Sequence, residues 1–190
     1  TDLGESGILI RGVDQLAAAV RSRAGAAFRD AAAEVFGAPI ESVSTVTSNA
    51  DGWSDALDDA DPDLSDGLRN EGFFEGEYLQ VVLPARLSSQ DDYNAVRRPG
   101  RGVPLDRKKR IGVWETIDRY RKNARLSSSL SYAEVTEVGA AWLDKHGQDA
   151  GVHADHVLVD EGQDLTPSQW KFLRALARPG KNDMFIAEDT

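Results

Sequence analysis

A short apolar stretch near the end of the sequence, residues 155–160, runs into two adjacent carboxylates, Asp160 and Glu161. Its length, its apolar character and its polar flanks predict a buried strand. Strand side chains alternate between two faces, so these carboxylates should leave the strand tip in different directions. A fold built from this sequence must therefore place two acids at the end of a core strand.

The residues after these acids predict a helix and a second strand. Thr166 is a candidate N-cap, Pro167 fits the first helical position and Gln169 completes a capping box, which together predict a helix to about residue 177. The apolar run at 184–187 predicts the second strand. A strand–helix–strand unit this short cannot bury both faces of its sheet, so we expect other sequence or a partner to continue the sheet.

The first 150 residues predict mainly helix. The expected elements are a short strand or a ragged start at 7–11, a helix at 15–36, short helices and loops at 41–70, a helix in preference to a short strand at 73–83, a basic loop at 97–104, a helix at 105–124 and a capped helix at 131–145 that ends at Gly147. The predicted fold class is mostly α with a small α/β portion, divided into a helical region at 1–150 and a partial α/β domain at 151–190.

Composition narrows the function classes. The chain has no cysteine, which excludes disulfides and cysteine-based zinc sites. Its three histidines are too scattered to indicate a metal site. The sequence shows neither a secretory signal nor an apolar run of membrane-spanning length, so we expect a cytoplasmic protein with no membrane partner.

Charge is distributed unevenly. The net charge is −10, yet residues 97–125 contain 11 Lys/Arg and three acids, which gives this segment +8 and the remainder −18. Because phosphate binding depends on the local field, the basic segment predicts contact with nucleic acid. A solvated helix face is the plainer interpretation of a lone RKKR, but this cluster spans a Pro/Gly loop as well as a helix. The residues expected to meet phosphates are Arg97, Arg98, Arg101, Arg107, Lys108, Lys109, Arg110 and Arg119.

Two aromatic residues lie within the same basic segment. Trp114 and Tyr120 are candidates for stacking on bases, but helical spacing within an apolar stripe favours the core for Trp114 and leaves Tyr120 open between the two roles.

The adjacent carboxylates suggest a chemistry. One can hold Mg²⁺, a hard cation that keeps several waters and prefers oxygen ligands. The other can orient the water that attacks a γ-phosphate, or take a proton from it. The alternative without a catalytic role is a solvated loop start or simple helix capping, but the order D-E-x-Q-D between two apolar elements is unusual for capping alone.

The sequence VDEGQDLTPSQW, residues 159–170, resembles motif II of the UvrD/Rep-like helicases, usually VDEAQDxxxxQ. The run MFIAEDT at 184–190 resembles the start of their motif III, and the basic segment resembles the region that precedes motif II. The resemblance is strong over about residues 97–190 and weak over 1–60.

This resemblance implies an ATP-dependent DNA helicase acting with ATP and Mg²⁺ on single-stranded DNA and duplex junctions, with a role such as DNA repair. It implies a helical insertion of the type called 1B, joined to part of a P-loop NTPase (RecA-like) parallel sheet called 1A. Asp160 would be the metal ligand and Glu161 the catalytic base. Gln163 would sense the γ-phosphate, Asp164 would hold neighbouring loops, and Asp189 would couple nucleotide to DNA.

The sequence departs from the family in three ways. Gly162 replaces the usual alanine and loosens the expected loop, while Glu188 replaces a glycine and restricts the turn. There is no G-x-x-x-x-G-K-[ST] phosphate-binding motif. We therefore expect an excised middle segment that needs the remainder of the helicase chain and does not hydrolyse ATP alone. One alternative is a helical nucleic-acid- or protein-binding module whose Asp–Glu pair is structural, and another is a different P-loop ATPase that lacks strand exchange.

Overall fold

Helices dominate the computed structural model, which describes residues 1–58, 64 and 66–189. In chain order its elements are α1 (Val13–Ala24), α2 (Ala27–Phe36), β1 (Thr45–Thr47), α3 (Trp53–Asp58), α4 (Glu71–Glu77), α5 (Gln90–Ala95), α6 (Arg107–Leu126), β2 (Ser129–Ser131), α7 (Tyr132–Ala150), β3 (Val157–Val159), α8 (Pro167–Leu176) and β4 (Met184–Ile186). A π-helical turn (Tyr78–Val82) continues α4, and 3₁₀ turns lie at Asp66–Leu68 and Gly162–Asp164.

The strands form two separate parallel pairs in the described chain. β1 pairs with β2, and β3 pairs with β4 in the register Val157↔Met184 to Val159↔Ile186. The prediction of a mostly helical chain with a small α/β portion is therefore confirmed.

Helix α7 forms the centre of the protein. It is buried on nearly all sides, which is typical of a helix surrounded by other elements. It packs against α1 and α2 and most extensively along α8. Residues before and after position 150 consequently share one hydrophobic cluster, and the boundary proposed there stays a prediction.

Several predicted elements are confirmed. The capping boxes at Ser131 and Thr166 are both present, and each hydroxyl accepts a hydrogen bond from the backbone three residues later. Residues 73–83 are helical, as favoured. The 41–70 segment contains short helices, although 59–63 and 65 lie outside the described residues, and strand β1 within it was not expected.

Two predicted elements were wrong. The expected single helix at 15–36 is two helices, because Gly25 adopts a left-handed φ of 56° that ends α1. The helix after Ser131 continues past Gly147 to Ala150 and ends at the left-handed Gly151. Of the two alternatives for residues 7–11, the strand is absent, because these residues form no regular secondary structure.

None of the helices in the described parts of the chain combines the length and the apolar character needed to cross a membrane.

Candidate functional site

The ends of β3 and β4 bring two polar segments together. Backbone pairing continues past both strands: the Ala187 amide donates to Val159 at 2.8 Å, and the Gly162 amide donates to Ala187 at 3.0 Å. Because parallel strands end at the same edge, the residues that follow them lie side by side. The predicted acids of the first strand therefore adjoin the Glu188–Asp189 segment.

The backbone changes direction sharply at the second acid. Glu161 has φ 55° and ψ 43°, a left-handed conformation that is rare for a residue other than glycine, asparagine or aspartate. The carboxylate of Asp160 accepts a hydrogen bond from the Glu161 amide at 3.2 Å. Both acids are exposed, so their remaining oxygens can be reached from solvent.

Gln163 connects the two strand ends. Its amide group donates to the carboxylate of Glu161. Its carbonyl oxygen accepts from the backbone amide of Asp189 at 3.3 Å. One side chain thus links the proposed base to the start of the second segment. Together with Asp160, these residues are the four that were expected to meet nucleotide, and the structure brings all four to the same edge.

Packing explains the glycine between the acids and Gln163. Gly162 is buried, and a Cβ added there would lie 2.9 Å from Cγ2 of Ile186 and 3.1 Å from Cζ2 of Trp170. An alanine would force these side chains apart. The loop at this position is therefore tightly packed, where the sequence suggested loosening.

The other positions of the two motifs, Glu188, Gln169 and Asp164, make no contact between the strand ends among the described residues. Glu188 has no left-handed φ, so its replacement of a glycine strains no turn. The Gln169 side chain accepts from the Thr166 amide at 2.9 Å and acts as a cap. The carboxylate of Asp164 is exposed and holds no neighbouring loop among residues 1–58, 64 and 66–189.

The donor atoms at this edge fit a hydrated Mg²⁺. Asp160 and Glu161 are adjacent exposed carboxylates, and Gln163 offers an amide oxygen in the same loop; Mg²⁺ is commonly held by one or two carboxylates with waters completing its shell. Within the described residues, no cluster of three or more His, Cys, Asp or Glu side chains is placed to hold a metal. A dedicated all-protein cage is thus absent there, and Asp160 with Glu161 offers only a partial site.

One face of the β3–β4 pair is uncovered. Val157 and Val159 point into the core, whereas Leu158 and Phe185, which are partners in the register, are 76% and 68% exposed. This exposed apolar pair agrees with the expectation that two strands and one helix cannot cover both faces of the sheet.

Two of the three arginines in the basic loop face inward. Arg98 makes a two-pronged ion pair with Glu77, which is 0% exposed, and Arg101 donates to the same carboxylate at 3.0 Å. The hydroxyl of Tyr93 also donates to Glu77, at 2.8 Å. Burial alone would raise the pKa of Glu77, but hydrogen bonds from Arg98 and Tyr93 outweigh it and hold that pKa below its ordinary value.

Arg110 is also engaged within the protein. Its guanidinium donates to the carbonyl of Tyr93, to that of Asn94 at 3.3 Å and to that of Val96 at 3.1 Å, so it closes the end of α5. Three of the eight residues expected to meet phosphates, including Arg98 and Arg101, therefore hold the helical region together.

The other five residues that were expected to meet phosphates lie at or near the surface. Arg97, Arg107, Lys108 and Lys109 are exposed. Arg119 is half-buried, and both it and Lys108 have a contact inside the chain. The exposed basic residues at 107–109 begin α6, whose first turn contains no acid. Their positive charges are therefore repelled by the positive end of the helix dipole.

The aromatic residues of this region belong to the core. Trp114 is buried as predicted, and Tyr120 is buried against Trp53, with ring centroids 4.0 Å apart. The question left open for Tyr120 is therefore decided in favour of the core.

The sequence did not identify Glu77 as an organising residue. The one available signal is an acid inside the apolar run FFEGEYLQVVL, because a carboxylate among aromatic and aliphatic residues requires a buried partner.

Comparison with protein-family models, with curated proteins and with solved structures gave no match for this chain.

Proposed function

We propose that this chain supplies the metal-binding part of the ATP site of a UvrD/Rep-like DNA helicase. The supporting observation is the strand-end cluster, in which Gln163 links Glu161 to the backbone of Asp189 beside the exposed Asp160. In this proposal the β3–β4 pair is part of a RecA-like sheet, and residues 1–150 form a 1B-like region. The phosphate-binding motif comes from sequence outside these 190 residues.

Each residue has a defined task. Asp160 holds Mg²⁺ directly or through water, and Glu161 orients or deprotonates the attacking water. Gln163 contacts both segments, so a change at the nucleotide would move the loop that begins at Asp189. The exposed Leu158 and Phe185 supply the face on which the rest of the sheet and its helices would pack.

A Mn²⁺ titration of the ¹⁵N-labelled chain tests the metal site, since Mn²⁺ substitutes for Mg²⁺ and broadens nearby amide signals. We expect broadening centred on residues 160–164 and 187–189, suppressed by excess Mg²⁺ and lost in Asp160→Asn. Asp155→Asn is the matched control, because Asp155 is an exposed acid before the opposite end of β3. Broadening spread over the acidic surface, or unchanged in Asp160→Asn, would leave the carboxylate pair with a structural role only.

The second part of the proposal is a DNA-binding face formed by Arg97, Arg107, Lys108 and Lys109. Cations in the first turn of a helix cost folding energy, about 0.3–1 kcal/mol each, unless an anion approaches them. For Arg107 and Lys109, the N-cap Asp106 relieves this only in part, since its carboxylate lies 4.0 Å from the Lys109 ammonium. A phosphate backbone would neutralise the cluster without reading sequence.

Fluorescence anisotropy with labelled single-stranded DNA and a duplex junction tests this face. Each phosphate-contacting cation removed should lower the slope of log affinity against log salt by about 1. We expect this for Arg107→Gln and Lys109→Gln, while Lys181→Gln, which removes an exposed charge before β4, should leave the slope unchanged. Equal effects of all three substitutions would show a general charge effect and no defined face.

A further inference from the structure

A cleft separate from the strand-end site lies in the helical region. It is an open cleft of about 650 Å³ between α1, α2 and the extended segment 41–43. This volume falls within the range of small-molecule sites, about 300–1,000 Å³. Its walls carry the small residues Ala18, Ser22, Gly25 and Ala26.

Two arginines line this cleft from different helices. Arg21, in the last turn of α1, donates to the carbonyl of Val43, and Arg29 of α2 donates to the carbonyl of Glu41 at 3.0 Å. These contacts direct the half-buried Arg21 and the exposed Arg29 towards the segment opposite them. A guanidinium has five N–H donors, so each retains donors for a further partner.

Charge indicates what the cleft would accept. The described lining residues include two arginines and one acid, the exposed Glu41, in a chain whose net charge is −10. Guanidinium groups favour phosphate, because their donors match its oxygens and remain charged at any physiological pH. A phosphate monoester carries close to two negative charges at neutral pH and so suits two arginines better than a phosphodiester, which carries one.

We propose that the cleft between α1, α2 and residues 41–43 binds a small ligand carrying a phosphate monoester, with Arg21 and Arg29 as its anion-binding residues. The cleft residues are distinct from both the basic face at 97–109 and the strand-end acids. The proposal therefore stands or falls independently of the helicase function.

Inorganic phosphate is the probe, titrated into ¹⁵N-labelled protein at constant ionic strength, with sodium chloride as the reference salt. We expect saturable shifts confined to residues 18–29 and 41–43. Arg29→Gln should weaken binding about tenfold, the range for loss of one charged hydrogen bond. Glu41→Gln should strengthen binding, and Arg11→Gln, which removes an exposed arginine before α1, should leave it unchanged.

Three results would overturn the assignment. The first is that phosphate causes the same shifts as chloride. The second is that Arg29→Gln binds phosphate as tightly as the wild type does. The third is an oligothymidylate, whose internal phosphates are all diesters, that saturates the same residues at a lower phosphate-group concentration than inorganic phosphate.

Discussion

Replacement of Glu77 by glutamine should severely destabilise the protein. Glu77 is fully buried and accepts hydrogen bonds from Arg98, Arg101 and Tyr93, while the Arg98 side chain is only 6% exposed. Glutamine keeps the size of the side chain but removes its charge and one acceptor oxygen. The substitution therefore leaves a buried guanidinium without its counter-charge.

The loss in the free energy of unfolding follows from the guanidinium group of Arg98, which remains buried. Loss of one partner of a buried ion pair costs about 3–5 kcal/mol, because the other charge stays desolvated. Arg101 is 22% exposed and regains some solvation, so we expect the total to stay within that range. Since a domain of ordinary stability has about 5–15 kcal/mol, the variant would lose a large part of its free energy of unfolding.

Urea unfolding followed by tryptophan fluorescence measures this loss, because Trp53 and Trp114 are buried in the same region. With a slope of about 2 kcal/mol/M, the midpoint should fall by about 1.5–2.5 M. Glu75→Gln on the same helix is the control and should cost under about 1 kcal/mol, as half-exposed charges do. Equal losses in the two variants would refute the buried network, as would additivity of Glu77→Gln and Arg98→Met in a double-mutant cycle.

Three further changes have defined outcomes. Glu161→Gly should raise the free energy of unfolding by about 1 kcal/mol, because glycine adopts the left-handed φ without strain, whereas Glu161→Gln should leave it unchanged in the same urea assay. Gly162→Ala should lower it by about 1–3 kcal/mol through overpacking against Ile186 and Trp170, and a smaller loss would mean that this loop is open. The pKa of Glu77 is lowered from its ordinary value of 4.5, so it stabilises the folded state above that pH, and this contribution should disappear as the pH falls through the lower folded pKa. Acid titrations of the wild type and Glu77→Gln should differ in this range.

Local chemistry made the C-terminal part of the fold predictable. The N-cap Thr166, Pro167 and Gln169 interact within one turn, so their pattern determines the start of α8 without reference to the rest of the protein. Strand β3 was recognisable for the same reason, as a short apolar run between polar residues. Gln163 and Asp189 were placed at one site only by the helicase resemblance, whereas in the structure the parallel pairing of β3 with β4 brings them together.

Long-range contacts account for what the sequence did not reveal. The pairing of β1 with β2 joins segments more than 80 residues apart, and strands of three residues carry little periodicity. Arginines in a basic segment look alike in sequence, whereas their roles depend on whether a buried acceptor such as Glu77 lies within reach. The split of the first helix depended on the φ of Gly25, which the alanine-rich periodicity around it concealed.

The affinity of the chain for Mn²⁺, measured by water-proton relaxation and competed with Mg²⁺, tests the proposed metal site most directly. The strand-end site predicts one saturable class of ion in the wild type, weakened about tenfold or more by Asp160→Asn and little changed by Asp164→Asn, because only the first removes a ligand. Equal affinities in the wild type and Asp160→Asn would contradict it and leave Asp160 and Glu161 as solvated residues at the end of a strand.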